Sequence, residues 1–156
     1  MHYDFELAGR RVRLWQRTGE GYAHVLMKAL GFAMYVGEFP SLEIEKRVGL
    51  RYKPDLVSIG NGGGAGGRFA FWGECGMVSV RKVGWLLKHG GVERLVLFKI
   101  DVNAPALRSE LRAAIDERYR PTGRLLIVNF VGDIAEQTAS RRLARIDPGW
   151  YTKTDV

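Results

Sequence analysis

Cysteine is almost absent from this 156-residue chain. Cys75 stands alone, which excludes an internal disulfide and a cysteine-built zinc site. Histidine is scarce as well, and His2, His24 and His89 have no metal-ligand spacing. No apolar run approaches the ~18–20 residues that a membrane-spanning helix needs. The opening HYDFELAGRRVRLW lacks the apolar stretch of a signal peptide, so the chain is expected in the cytoplasm with no membrane partner. There is no G-K-[ST], which removes a phosphate-cradling P-loop, and no Ser/His/Asp or Cys/His arrangement to supply a nucleophile.

Positive charge is what the chain has in excess. Its formal net charge is +7, and arginine outnumbers lysine by more than two to one, with GRRVRLWQR near the start and SRRLAR near the end. The planar guanidinium offers forked donors that match phosphate oxygens. Charge alone is thus compatible with nucleic acid and equally with a solvated basic surface. Hydrophobic residues at 46% and charged residues at 26% describe one ordinary globular domain over residues 1–156.

Hydrophobic periodicity gives the element order. Tyr3, Phe5 and Leu7, a turn at Gly9, then Val12 and Leu14 predict an N-terminal β-hairpin. TGEGYAHVLMKALGFAMYVG carries apolar residues at helical spacing almost all round, which predicts a largely buried helix with Thr18 as its cap. Residues 38–51 read as a connection with one helical turn, and Asp55–Ile59 and Phe69–Cys75 as strands. SVRKVGWLLKH reads as a helix capped by Ser79. RLVLFKID and GRLLIVNFVGD are continuous apolar runs suited to buried strands, and between them PALRSELRAAIDERYR is a helix opened by Pro105. IAEQTASRRLAR reads as a last helix and IDPGWYTKTDV as an irregular tail. The expected fold is α/β, a mixed central β-sheet flanked by helices with an N-terminal hairpin.

The stretch YKPDLVSIGNGGGAGGRFAFWGECG, residues 52–76, holds the chemistry. Its GGGAGG contains a G-x-G-x-x-G match, but a strand follows where a dinucleotide site needs a helix, so the glycines are expected to form a hairpin tip. Asp55 begins one strand and Glu74 nearly ends the next, and antiparallel pairing sets these ends side by side. Two facing carboxylates can share one hard cation; they can equally be a turn cap and a solvated acid. Alternation puts Glu74 on the face of Trp72 and Cys75 on the other. Cys75 is therefore expected to be a buried core residue, and Trp72 to pack in the core rather than stack on a base. Trp85 faces away from the apolar side of its helix, either packed on the tail or exposed. His24, among apolar residues, is expected to be a satisfied core histidine.

An acid before the first helix, then KPDLVSI, a hairpin, FWGECG and a basic helix together resemble the YaeQ family, within the PD-(D/E)xK nuclease-like superfamily. The resemblance covers roughly residues 1–100 and implies a restriction-endonuclease-like core. It also implies that Asp55 and Glu74 bind Mg²⁺ or Mn²⁺ with the backbone carbonyl of Cys75, that Glu20 is an accessory acid, and that a phosphodiester is hydrolysed. Gly76 stands where the general nuclease pattern has its E-x-K lysine, which the YaeQ family lacks as well, and Met77 stands where that family has a polar glutamine. The resemblance implies that a lysine on the following helix takes its place. Lys82 flanks that helix's buried face near its start, whereas Lys88, the alternative, points away. Arg10, Arg11, Arg13, Arg81 and Lys88 are the cations expected to grip a nucleic-acid backbone, and cleavage of a double strand by one site per chain would call for a homodimer. The competing expectations are an inactive nuclease fold that binds nucleic acid or a protein partner, and an unrelated small-molecule enzyme.

Overall fold

The structure, a computed structural model, describes residues 1–60 and 68–156; the expected glycine tip lies outside the described residues. It opens on the hairpin of β1 (His2–Leu7) and β2 (Arg10–Trp15). Ala8 and Gly9 both take positive φ in its two-residue turn, whose twist matches that of the strands. α1 (Tyr22–Tyr35) follows, then β3 (Glu43–Ile44), β4 (Leu56–Ile59), β5 (Phe69–Cys75), α2 (Val80–His89) and β6 (Leu95–Ile100). α3 (Ala104–Ala114), β7 (Leu125–Phe130), α4 (Ile134–Gln137), β8 (Arg142–Leu143) and β9 (Tyr151–Asp155) complete the chain.

Six strands make a mixed sheet in the order β3-β4-β5-β6-β7-β9, with β5, β6 and β7 parallel and the remaining pairs antiparallel. β5 side chains go to two separate cores: alternation sends Phe71 and Cys75 to pack with α1 and Trp72 to Val83, Leu86 and Leu87 of α2 and Leu111 of α3. Phe69 joins Trp72 against that alternation, because the register with β4 shifts between Ser58 and Ile59. α1 is buried from both sides because Phe5, Leu7 and Leu14 of the small sheet β2-β1-β8 cover its far face. Gly31 allows its close approach: a Cβ there would lie 2.7 Å from Leu56 Cδ1 and 2.8 Å from Phe98 Cζ. Gly84 in α2 is different, since its Cβ would meet nothing nearer than Ile115 Cγ1 at 4.0 Å.

The α/β sheet flanked by helices and the hairpin are as the pattern predicts, and several details differ. Residues 38–51 contain the edge strand β3 and no helix. α1 is capped by Gly21, not Thr18, with no side-chain cap bond. The expected last helix stops after Gln137, and Arg142–Leu143 instead pairs parallel to β1. The expected irregular tail holds β9, antiparallel to β7. Its YTKTD pattern is that of an exposed edge strand, whose polar residues hide the strand signal in a sequence. No helix among the described residues is long and apolar enough to cross a membrane.

Candidate functional site

Asp55 stands one step beyond the Leu56–Gly73 pair, where its N–H donates to the Gly73 carbonyl at 3.1 Å. That brings it level with Glu74 on the neighbouring strand. Its carboxylate turns towards α1: Oδ2 accepts from the Cys75 N–H at 2.8 Å, and Oδ1 lies 3.2 Å from His24 Nε2. Glu74 turns towards α2, where Oε1 accepts from Trp72 Nε1 at 2.9 Å and pairs with Lys82 Nζ at 2.8 Å. The two acids thus sit at one strand end, each approached from a different helix.

Environment separates their charges. Burial pushes Asp55 up, but the bonds from His24 and the Cys75 N–H outweigh it and hold the carboxyl below the ordinary aspartate range. Burial dominates at Glu74, which is 5% exposed. Lys82 and Trp72 only partly offset it, the charge of Asp55 adds to it, and the carboxyl stays above its ordinary value. His24 is raised, first by its bond to Asp55. Burial drives the Cys75 thiol well above its usual range, which suits a core residue and not a nucleophile.

On the α1 side the pocket holds a second group of charges. Glu20 and Glu45 both bind the ammonium of Lys28, at 2.6 and 2.8 Å. Glu20 also accepts from the Arg17 N–H and lies 3.6 Å from His24. Burial would neutralise Lys28, yet the two acids raise it above the ordinary lysine value. Arg17, Lys53, His24, Glu20, Glu45 and Asp55 line an open cavity of about 390 Å³. Behind the strand end, the buried Lys99 ammonium donates to the Gly76 carbonyl and pins the loop after Glu74.

The expected residues are not all in one place. Asp55, Glu74, Lys82 and Glu20 gather at or beside the strand end, and Lys88 lies elsewhere, over the Tyr119 ring at 5.4 Å. Arg81 is exposed on α2. Arg10, Arg11 and Arg13 are on β2 outside the cavity, Arg13 paired with Asp4 at 2.8 Å. Gly76 has a φ of +79°, a conformation that disfavours any lysine there, and Met77 is 97% exposed. Trp72 is fully buried, as expected. Trp85 packs edge-on against Tyr52 at 5.4 Å instead of on the tail.

His24 is a correction: it is half-exposed, faces the cavity and binds Asp55 rather than packing as a core residue. Lys28, Glu45 and Lys99 join the site in addition to the expected residues. Glu20, His24 and Lys28 recur every four residues, a helical-face signal readable in the sequence. Glu45 gave none, since it reaches the site from a loop at a φ of +56°. Among the described residues, no group of three or more His, Cys, Asp or Glu side chains is arranged to hold a metal ion. A cation here would depend on two carboxylates, backbone oxygen and water.

The chain is similar in structure to the YaeQ protein from Xanthomonas axonopodis pv. citri, with 16% identity and a TM-score of 0.62 over 90% of this chain and 80% of that one. It is likewise similar to the YaeQ protein from Pseudomonas syringae, with 15% identity and a TM-score of 0.61 over 97% of this chain and 91% of that one. At such identities the likeness is one of fold, and the fold is YaeQ-like. No protein-family model and no curated protein matches the chain.

Proposed function

We propose that this protein is a metal-dependent phosphodiester hydrolase of the PD-(D/E)xK type, acting on nucleic acid. The observation that carries the reading is the Lys82 ammonium at 2.8 Å from Glu74, on the strand end shared with Asp55. An acid pair with a helix-borne lysine at hand is the minimum that such chemistry requires. The donor set suits Mg²⁺ or Mn²⁺, because hard carboxylate oxygens keep lone pairs free beyond the bonds they already accept. Asp55, Glu74 and the Cys75 carbonyl would hold the ion, which when bound supplies an acidified water and charge stabilisation on the phosphoryl group.

The chain's own residues then have distinct tasks. His24 and the Cys75 N–H fix the Asp55 carboxylate in one orientation. Lys82 holds Glu74 and offers remaining N–H donors to the attacking water or to a phosphoryl oxygen. Glu20, with Glu45, keeps Lys28 charged at the back of the cavity. In the reaction a water oxygen forms a bond to phosphorus and one ester P–O bond breaks. The water gives up its proton and the leaving oxygen gains one, so the products are a phosphomonoester and a free hydroxyl.

A second reading, an inactive fold that binds nucleic acid or a protein partner, has an observation in its favour. Every acid of the site already has a basic partner within the protein: Asp55 with His24, Glu74 with Lys82, Glu20 and Glu45 with Lys28. Titration of Mn²⁺ into wild type and Asp55→Ala, with cleavage of plasmid and single-stranded DNA on the same samples, decides between them. The hydrolase reading expects metal binding and cleavage that both vanish in the variant. Wild type that binds no metal and cuts neither substrate would leave the second reading standing.

A further inference from the structure

A groove of about 450 Å³ between α2 and the end of α3 plays no part in the site above. Arg81, Gly84, Trp85, Lys88 and His89 form its α2 side, and Ile115 faces them. No acid lines it, and neither Arg81 nor Lys88 has a carboxylate partner among the described residues. The half-buried Trp85 ring is steadied by Tyr52 at 5.4 Å and His89 at 6.1 Å. The groove therefore combines fixed aromatic surface with uncompensated positive charge.

Gly84 adds an independent observation. Glycine within a helix is unfavourable relative to alanine, and helices keep one where a close neighbour or a positive φ demands it. Neither applies here: the φ is not positive, and the nearest contact of an added Cβ is 4.0 Å away. What the missing side chain does is leave the floor of the groove open.

We propose that this groove binds single-stranded nucleic acid, one base lying over Gly84 against Trp85 and the neighbouring phosphates on Arg81 and Lys88. A duplex keeps its bases stacked inward and would use the cations alone, whereas an unpaired base can enter a slot. An acidic peptide would meet the cations but leave the slot empty. α2 also carries Lys82, so a strand lying along this helix runs towards Glu74. In that respect the inference deepens the hydrolase reading and rests on it for the substrate's destination.

The test is fluorescence anisotropy with a short fluorescein-labelled oligo(dT), in EDTA so that nothing is cut. Gly84→Leu fills the slot and should weaken binding about tenfold, the loss of one stacked base. Arg81→Ala/Lys88→Ala, on the surface and safe for folding, should weaken it at least as much. It should also flatten the salt dependence by roughly 1.4, about 0.7 for each phosphate contact on a single strand. Thermal melts of Gly84→Leu and of the charge variant, compared with wild type, serve as the folding control.

The proposal is overturned if wild type does not bind, or if either Gly84→Leu or the charge variant binds like wild type. It is also overturned if a duplex of the same length binds as tightly, or if poly-glutamate displaces the oligonucleotide as readily as unlabelled oligo(dT). Cleavage with Mn²⁺ is assayed separately. Groove-dependent binding without cleavage keeps the groove and sinks the hydrolase; Asp55-dependent cleavage with groove-independent binding does the reverse.

Discussion

A lysine only 1% exposed remains charged only if acids accompany it, and Lys28 has Glu20 and Glu45. Truncating it strands two carboxylates in a partly buried setting. Lys28→Ala should therefore cost about 3 kcal/mol, at the low end for a broken buried pair because Glu45 is partly solvated, as read from urea midpoints. The Asp55–His24 pair sets a pH signature. Asp55 has a depressed pKa, so its contribution is present above the ordinary aspartate range and lost as pH falls through the lower folded value. His24 has a raised pKa, so its contribution is full below about 6.5 and lost as pH rises through the higher folded value. Stability should thus decline as pH rises from about 6.5 through the higher folded value of His24, and the decline should shrink in His24→Gln, measured by denaturant midpoints across that rise. At this scale the acids were legible and their partners less so. Asp55 and Glu74 stand at the ends of short apolar runs with turn signals around them, and helical angle together with nearness to Glu74 along the axis favours Lys82 over Lys88. The role of His24 was hidden because its apolar neighbours Val25 and Leu26 pointed to the core.

Among the elements, two glycines in helices make opposite predictions. Gly31 lies where α1 touches Leu56 and Phe98, both fully buried and unable to yield. Gly31→Ala should destabilise by about 1–3 kcal/mol through overpacking, less the gain in helix propensity. Gly84→Ala meets open space and should stabilise by roughly 0.5–1 kcal/mol, so thermal melts of the two variants should move in opposite directions. Elements with a strong pattern were readable: α2 begins at its Ser79 cap, where the side chain accepts the Lys82 N–H, and β6 and β7 are apolar apart from Lys99 and Asn129. α3 begins one residue before Pro105 and ends at Ala114, short of the predicted Arg120, because Ile115 turns extended. β3, β8 and β9 escaped because two-residue strands carry no period, and β9 shows polar residues to solvent. Their partners, not their own composition, make them strands.

For the whole molecule, the parallel pairing of Glu6 and Leu7 with Arg142 and Leu143 joins the two ends of the chain across nearly its full length. Leu143 is fully buried there, and Leu143→Ala should cost about 2–5 kcal/mol. The loss should fall on the unfolding rate, leaving the folding rate nearly unchanged in stopped-flow chevrons, because so distant a contact forms late. This closure also gives the chain a calendar during synthesis. The N-terminal hairpin and α1 leave the ribosome early, yet the hairpin's sheet lacks its third strand until residues 142–143 emerge. At ~5–20 residues per second, the incomplete edge of β1 stands open for several seconds, the interval in which a nascent chain most needs protection from its neighbours.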